Sequence, residues 1–339
     1  MNKSLIPIFP ELEEIKSIIE IWNQFGRVEL LAEVSDSTQN FPIHSFSIGS
    51  HKENVPVLVF TAGIHGLEKI GTWVAISFMK HLLSRLPWDE VLQYQLRKLR
   101  LVFIPLVNPI GMYHHTRSNG HGVDLMRNAP INAVNASFGV GGHQFSPQLP
   151  WFRGNQDQSE MGMEVELKSL FLLLEKELKT SSCTIAIDLH SGFGVVDQLW
   201  FPYAKSTEVF EGIHQVYALS KLMDDVLPNH IYRFEPQSKH YTTHGDLWDY
   251  LLLKHQRRSP FLPLTLEMGS WNWVKKNPSQ LFSFLGPFNP IKPHRQRRTM
   301  RRHLPLLDFL MHAMSSPDVW SKVEERSMRA HGIKQWYKK

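Results

Sequence analysis

Cysteine is the scarcest residue: the 339-residue chain has one, Cys183. A single thiol excludes an internal disulfide framework and any cysteine-clustered metal site. It suits a reducing compartment, so a cytoplasmic protein is expected. Long apolar runs are also missing. The longest are broken by Lys, Ser or Pro, and none reaches membrane-spanning length. The opening MNKSLIPIFPELEEIKSIIE turns acidic too soon for a secretory signal. No membrane partner is expected. There is no internal repeat, no low-complexity tract and no linker, and 20 Gly with 21 Pro is an ordinary share. With 42% apolar residues and a net charge of only +5, disorder is excluded and one large core is affordable. What is plentiful is histidine, at 18 residues. Any metal site must therefore be built from imidazole and carboxylate.

The apolar pattern alternates between strands and helices. A short amphipathic helix occupies the first 25 residues, and VELLAEV (28–34) and HSFSIGS (44–50) read as strands. VPVLVFT (55–61), LRLVFIPLV (99–107) and TIAIDLH (184–190) are continuous apolar runs, the signature of parallel strands buried on both faces. LWFPY (199–203), IYRFE (231–235) and LPLTLEM (262–268) continue the series. Helical patterns fall near 67–86, 160–179 (with Ser159 as N-cap), 206–226, 245–257 and 299–314. Between about 108 and 159 lies a loop-like stretch rich in Asn, Gly and Pro, long enough to suggest function. The pattern predicts one α/β domain over 1–339, with a mixed, largely parallel central sheet flanked by helices. Its motifs lie between about 55 and 270, and a basic helical extension follows over about 295–339.

Four places carry chemistry. His65 ends a buried strand and Glu68 falls in the first turn beyond it. His190 ends a second strand, in Asp188-Leu189-His190-Ser191-Gly192. In parallel sheets ligands gather at this carboxyl edge. Two imidazoles and a carboxylate, with a fourth position left to water, are the donor set of a catalytic zinc. Glu267 ends a third strand, where it would serve a metal-activated water as proton acceptor and donor. Arg117 and Arg127 lie ten residues apart on the loop after a fourth strand, suited to an oxyanion or a carboxylate.

The order His65-x-x-Glu68, Asn108-Pro109-x-Gly111, Arg117, Asp124-x-x-Arg127-Asn128, His190-Ser191 and Glu267 resembles the zinc carboxypeptidase family, the carboxypeptidase A-like funnelins. WFRG (151–154) and SEMGMEVELKSL (159–170) resemble further segments of it. The resemblance implies the zinc-carboxypeptidase (phosphorylase/hydrolase-like) fold and one Zn²⁺ per chain on His65, Glu68 and His190. It implies that Glu267 is general base and acid, and that Arg117 polarises the scissile carbonyl. Arg127, with Asn128 beside it, would bind the substrate's carboxylate. Asp124 would accept a hydrogen bond from the far nitrogen of His65. Tyr241 would close over the substrate, with Tyr250 as the rival nearby. Met126 stands where the family usually has Asn, and Met offers no amide to a carboxylate. Asp246 is a candidate partner for a basic substrate side chain.

The activity so implied is release of a C-terminal amino acid from a peptide. The alternative is a zinc amidohydrolase acting on N-acyl amino acids, similar to succinylglutamate desuccinylase and aspartoacylase. Either substrate carries a free carboxylate. A non-catalytic binding protein on this scaffold is a third possibility, opposed by the intact ligand set. The basic runs KHQRR (254–258) and HRQRRTMRRH (294–303) read as a solvated helix face, with no nucleic-acid partner expected. The tryptophans of WNW (271–273) either line the pocket or pack at its rim.

Overall fold

The computed structural model describes residues 9–154, 160–255, 259–322 and 325–338. Helix α1 (Pro10–Trp22) leads into an antiparallel pair, β1 (Gly26–Ser35) and β2 (Asn40–Gly49). Strand β3 (Val55–Ala62) is followed by α2 (Lys69–Arg85), α3 (Glu90–Leu96), β4 (Arg100–Ile104) and α4 (Pro109–His114). After the long loop come α5 (Val165–Thr180), β5 (Ser181–Ser191), β6 (Gln198–Phe201), α6 (Ile213–Val226) and β7 (Arg233–Pro236). The chain ends with α7 (Leu247–His255), β8 (Phe261–Met268), α8 (Trp271–Lys276), α9 (Pro293–Met314), α10 (Pro317–Ser321) and α11 (Glu325–Trp336).

The eight strands form one mixed sheet in the order β1-β2-β4-β3-β5-β8-β6-β7. Its centre, β4-β3-β5-β8, is parallel throughout. Strands β4 and β8 are buried at every residue, because helices cover both faces and leave no solvated side to alternate with. One core contains Phe60, Phe78, Phe103 and Ile187, with Leu306, Leu310 and Met314 of α9. The other lies under α5 and α7, with Val59, Leu167, Phe171 and Leu251. The last three helices are therefore part of the same body and not a loose extension: α9 packs on α2 and β3, and α11 on α6.

Helix α5 begins at Val165, later than the pattern implied. The Asn128 side chain accepts the Glu164 N–H at 2.7 Å and fixes the approach to the helix. Ser159, the expected N-cap, and residues 256–258 of the basic run lie outside the described residues. Helix α3 was not expected. Asp89 caps it by accepting the Leu92 N–H at 3.0 Å.

Two loops meet at the carboxyl edge of β3 and β4. A Cβ on Gly66 would stand 2.0 Å from the Gly111 carbonyl carbon, so the backbones touch where any side chain would wedge them apart. Asn108 fastens the contact. Its Oδ1 accepts the Gly111 N–H at 2.9 Å, and its Nδ2 donates to the Ile64 carbonyl at 3.1 Å. This clamp holds His65 and Glu68 beside the arginine loop.

Candidate metal centre and cleft

Parallel strands deliver the donors. β3 runs into His65 and Glu68, β5 carries His190 near its end, and β8 pairs Glu267 directly opposite His190. One donor atom from each of His65, Glu68 and His190 lies within 4.8 Å of the other two, and all three residues are buried. The Glu68 carboxylate sits between the rings: Oε1 is 2.9 Å from His65 Nδ1, and Oε2 is 3.0 Å from His190 Nδ1. The Ser191 N–H also donates to Oε2, at 2.9 Å.

The outer nitrogen of each ring meets its own aspartate. His65 Nε2 lies 3.1 Å from Asp124 Oδ1, and His190 Nε2 lies 2.7 Å from Asp188 Oδ2. Asp188 is held in turn by the Thr61 hydroxyl at 2.8 Å and the Trp248 indole N–H at 3.4 Å. Asp124 accepts the Arg117 Nε–H at 2.8 Å. Two carboxylates thus orient two rings with both Nδ1 atoms turned to Glu68. Zinc takes imidazole nitrogen and carboxylate oxygen, and it favours histidines whose far nitrogen is held by a carboxylate, so the residues present fit that ion.

Burial alone would keep these carboxyls neutral, but their neighbours overrule it. Glu68 is desolvated, yet the imidazoles of His65 and His190 hold it well below the usual carboxylate range. Asp124 is held low against its burial by Arg117 and then His65. His190 is raised against its burial by Asp188 and Glu68. Glu267 behaves in the opposite way. Burial, and then the negative charge of Glu68, push it up to about 8. It accepts the Phe193 N–H at 3.0 Å.

A sequence description of the zinc carboxypeptidase family, peptidase M14, matches residues 16–292, most of the chain. The chain belongs to the zinc carboxypeptidase family. It is a metallocarboxypeptidase-like hydrolase, and the family is zinc-dependent. Carboxypeptidase D of Drosophila melanogaster is 31% identical over 91 residues, which are 24% of this chain and 6% of that protein. The match thus spans a small fraction of that relative's length. Among solved structures, thrombin-activatable fibrinolysis inhibitor superposes with a TM-score of 0.66 at 17% identity, over 92% of this chain and 78% of that one. Carboxypeptidase A from Helicoverpa armigera gives 0.66 at 16% identity, over 89% and 71%. At such identities the likeness is one of fold.

In this member of the zinc carboxypeptidase family the three donors, Glu267, Arg117, Arg127 and Tyr241 all line one cleft of about 240 Å³. Arg117 points a second nitrogen to within 3.5 Å of Glu68 Oε1. Arg127 donates to the Val140 carbonyl at 3.0 Å and the Met126 carbonyl at 3.1 Å, and its guanidinium lies 6.0 Å from the Tyr241 ring centroid. Burial pushes the Tyr241 hydroxyl up to about 12. Tyr250 does not line the cleft: its hydroxyl donates to Glu160 at 2.9 Å.

Asn128 also departs from the expectation. Its amide donates to the Arg153 carbonyl at 2.9 Å and its oxygen takes the Glu164 N–H, so it braces the loop wall and does not line the cleft. The single turn Leu125–Arg127 sends neighbouring side chains in different directions. Trp271 and Trp273 lie outside the cleft as well. The aromatic walls are Trp151, Phe193, Trp200 and Phe288. Asp246 is buried one layer below the floor, at a small void it shares with Trp200, Gln237 and Thr265. Asp188 went unassigned in the sequence, although its spacing of two from His190 on a strand puts both side chains on one face.

Proposed function

We propose that the protein removes the C-terminal amino acid from a peptide. The observation that carries this reading is the convergence of the His65–Glu68–His190 donors, Glu267 and two arginines on one cleft. Zinc, when bound by the three donors, supplies a Lewis acid and an activated water. The Glu267 carboxylate, desolvated and next to Glu68, accepts the proton of the attacking water and returns it to the departing amine. Arg117, braced by Asp124, offers its guanidinium to the carbonyl oxygen as charge develops there. Arg127 receives the substrate's carboxylate through its planar fork. Met126 beside it adds apolar surface where an amide is usual, so the arginine carries this recognition. Tyr241, stacked near Arg127, closes the cleft over the bound end. The lone buried Cys183 supports a reducing, cytoplasmic setting.

The test is a panel of short peptides against N-acyl amino acids, using protein whose zinc content has been measured. Release of single C-terminal residues by protein holding one zinc per chain is the expected result. Turnover confined to N-acyl amino acids would replace the reading with that of a deacylase.

A further inference from the structure

The cleft's mouth adjoins a surface that peptide hydrolysis does not use. From Met268 to Leu307 the chain holds eight Lys or Arg and no Asp or Glu, more positive charge than the whole protein's net +5. Lys275, Lys276, Lys292, Arg297, Arg298 and Arg301 are all exposed, and none forms an ion pair with a described residue. Among these cations stand large apolar side chains. Phe282 is 94% exposed, Phe284 72%, and Leu281 and Trp271 about half. Isolated exposed apolar residues are ordinary, but four within fourteen positions, inside an acid-free segment, are not.

The exposure is built into the loop. Gln280 is fully buried and its amide grips the carbonyls of Gly286 and Asn289, closing the loop on itself. Asn289, also buried, donates to the Leu67 carbonyl at 2.7 Å and accepts the Ile70 N–H at 3.0 Å, which rivets the loop to the start of α2 beside Glu68. Arg295 donates to the carbonyls of Trp273 and Lys276 and joins α9 to the end of α8. Anchored at both ends, the loop turns Phe288 into the cleft and holds Phe282 and Phe284 outward.

The geometry points to a peripheral docking face for an anionic phospholipid bilayer, with Phe282 and Phe284 entering the interface and the surrounding lysines and arginines meeting the headgroups. Protruding aromatics and exposed cations on one segment that carries no acid of its own are the composition of interfacial anchors. A duplex nucleic-acid surface reads phosphates with cations alone, and a single-strand surface sets its aromatics along a charged groove, whereas Phe282 and Phe284 stand outward at 94% and 72% exposure. The absence of a membrane-spanning apolar run bears on a spanning helix alone and leaves interfacial docking open. Among the described residues no helix is long and apolar enough to cross a membrane, and interfacial docking requires none. Docked in this way, the cleft opens next to the bilayer surface.

The experiment is co-sedimentation of the full chain with phosphatidylcholine vesicles, with and without about 30% phosphatidylserine, at low and high salt. The expected result is binding to the anionic vesicles only, weakened by salt. It should fall about tenfold or more in Phe282→Ser/Phe284→Ser, and about fivefold for each charge removed in Lys275→Gln/Lys276→Gln. Unchanged melting temperatures establish that the variants are folded. Absence of binding at low salt overturns the inference. So does binding that ignores the two phenylalanines, which would be plain adhesion of charge. Equal, phenylalanine-dependent binding to soluble polyglutamate or RNA would reassign the face to an acidic macromolecule.

Discussion

Glu267→Gln separates chemistry from architecture, because the two respond in opposite directions. The amide is the same size, and its oxygen still accepts the Phe193 N–H that the carboxylate takes at 3.0 Å. What disappears is the basic oxygen. A positioned general base contributes about 10²–10⁴ in rate, so turnover by the zinc-loaded variant should fall by about 10³. Stability of the metal-free chain should rise. Burial and Glu68 lift the carboxyl from 4.5 to about 8, so at pH 7 the folded chain keeps it protonated while the unfolded chain ionises it. That mismatch costs about 3 kcal/mol, and removing it should raise the melting temperature by about 5 °C. The sign of the pH dependence follows. Between pH 4.5 and about 8 the folded state binds the extra proton, so metal-free wild type loses stability as pH rises through that window, and the variant lacks this share of the slope. The assays are peptide hydrolysis by zinc-loaded protein and melting curves in chelator from pH 4 to 9. A variant that keeps more than about a tenth of wild-type turnover, or that melts with an unchanged pH slope, refutes the reasoning.

Arg117→Ala should lower kcat by about 10² with little change in KM, whereas Arg127→Ala should raise KM about tenfold or more; steady-state kinetics with a dipeptide series distinguishes the two roles. Asp188→Asn should weaken zinc binding about 10–100-fold by loosening His190, read by competition with a chromogenic chelator. Asp246→Asn should keep its bond to the Asp249 N–H and relieve a buried carboxyl that burial pushes up to about 6. Because that folded value lies above the ordinary 3.8, wild type loses stability as pH rises from about 4 to 6, and the variant should melt higher at pH 7 with a flatter profile over that range.

The strands of the sheet centre were legible because burial on both faces demands unbroken apolar runs, and β3, β4, β5 and β8 have them. The donors were legible because a strand end followed by a turn is where a buried sheet turns a side chain outward. Direction within a turn was not. Arg127 and Asn128 are adjacent in sequence, yet one enters the cleft and the other braces the wall, a choice made by Glu164 and Arg153 far along the chain. The aromatic walls were equally hidden. Trp151, Trp200 and Phe288 come from three separate segments with no shared spacing, while the conspicuous WNW lies outside the cleft with Trp271 about half exposed. Helix α11 was legible only as part of a basic helical extension, without bounds of its own, because Gly332 alone of its residues is buried and almost no apolar periodicity marks its ends.

Strand β6 is four residues long, and its two aromatics serve different masters. Trp200 faces the cleft, while Phe201, on the opposite side of the strand, rests against Trp336 of α11 with ring centroids 5.0 Å apart. The wall against which a substrate side chain would press is therefore propped from behind by the far end of the polypeptide, beyond the stretch that marks the family. Removing α11 alone, with α9 kept in the core, would leave the donors in place and slacken one side of the pocket, so a form shortened before Glu325 should lose discrimination among substrates before it loses zinc.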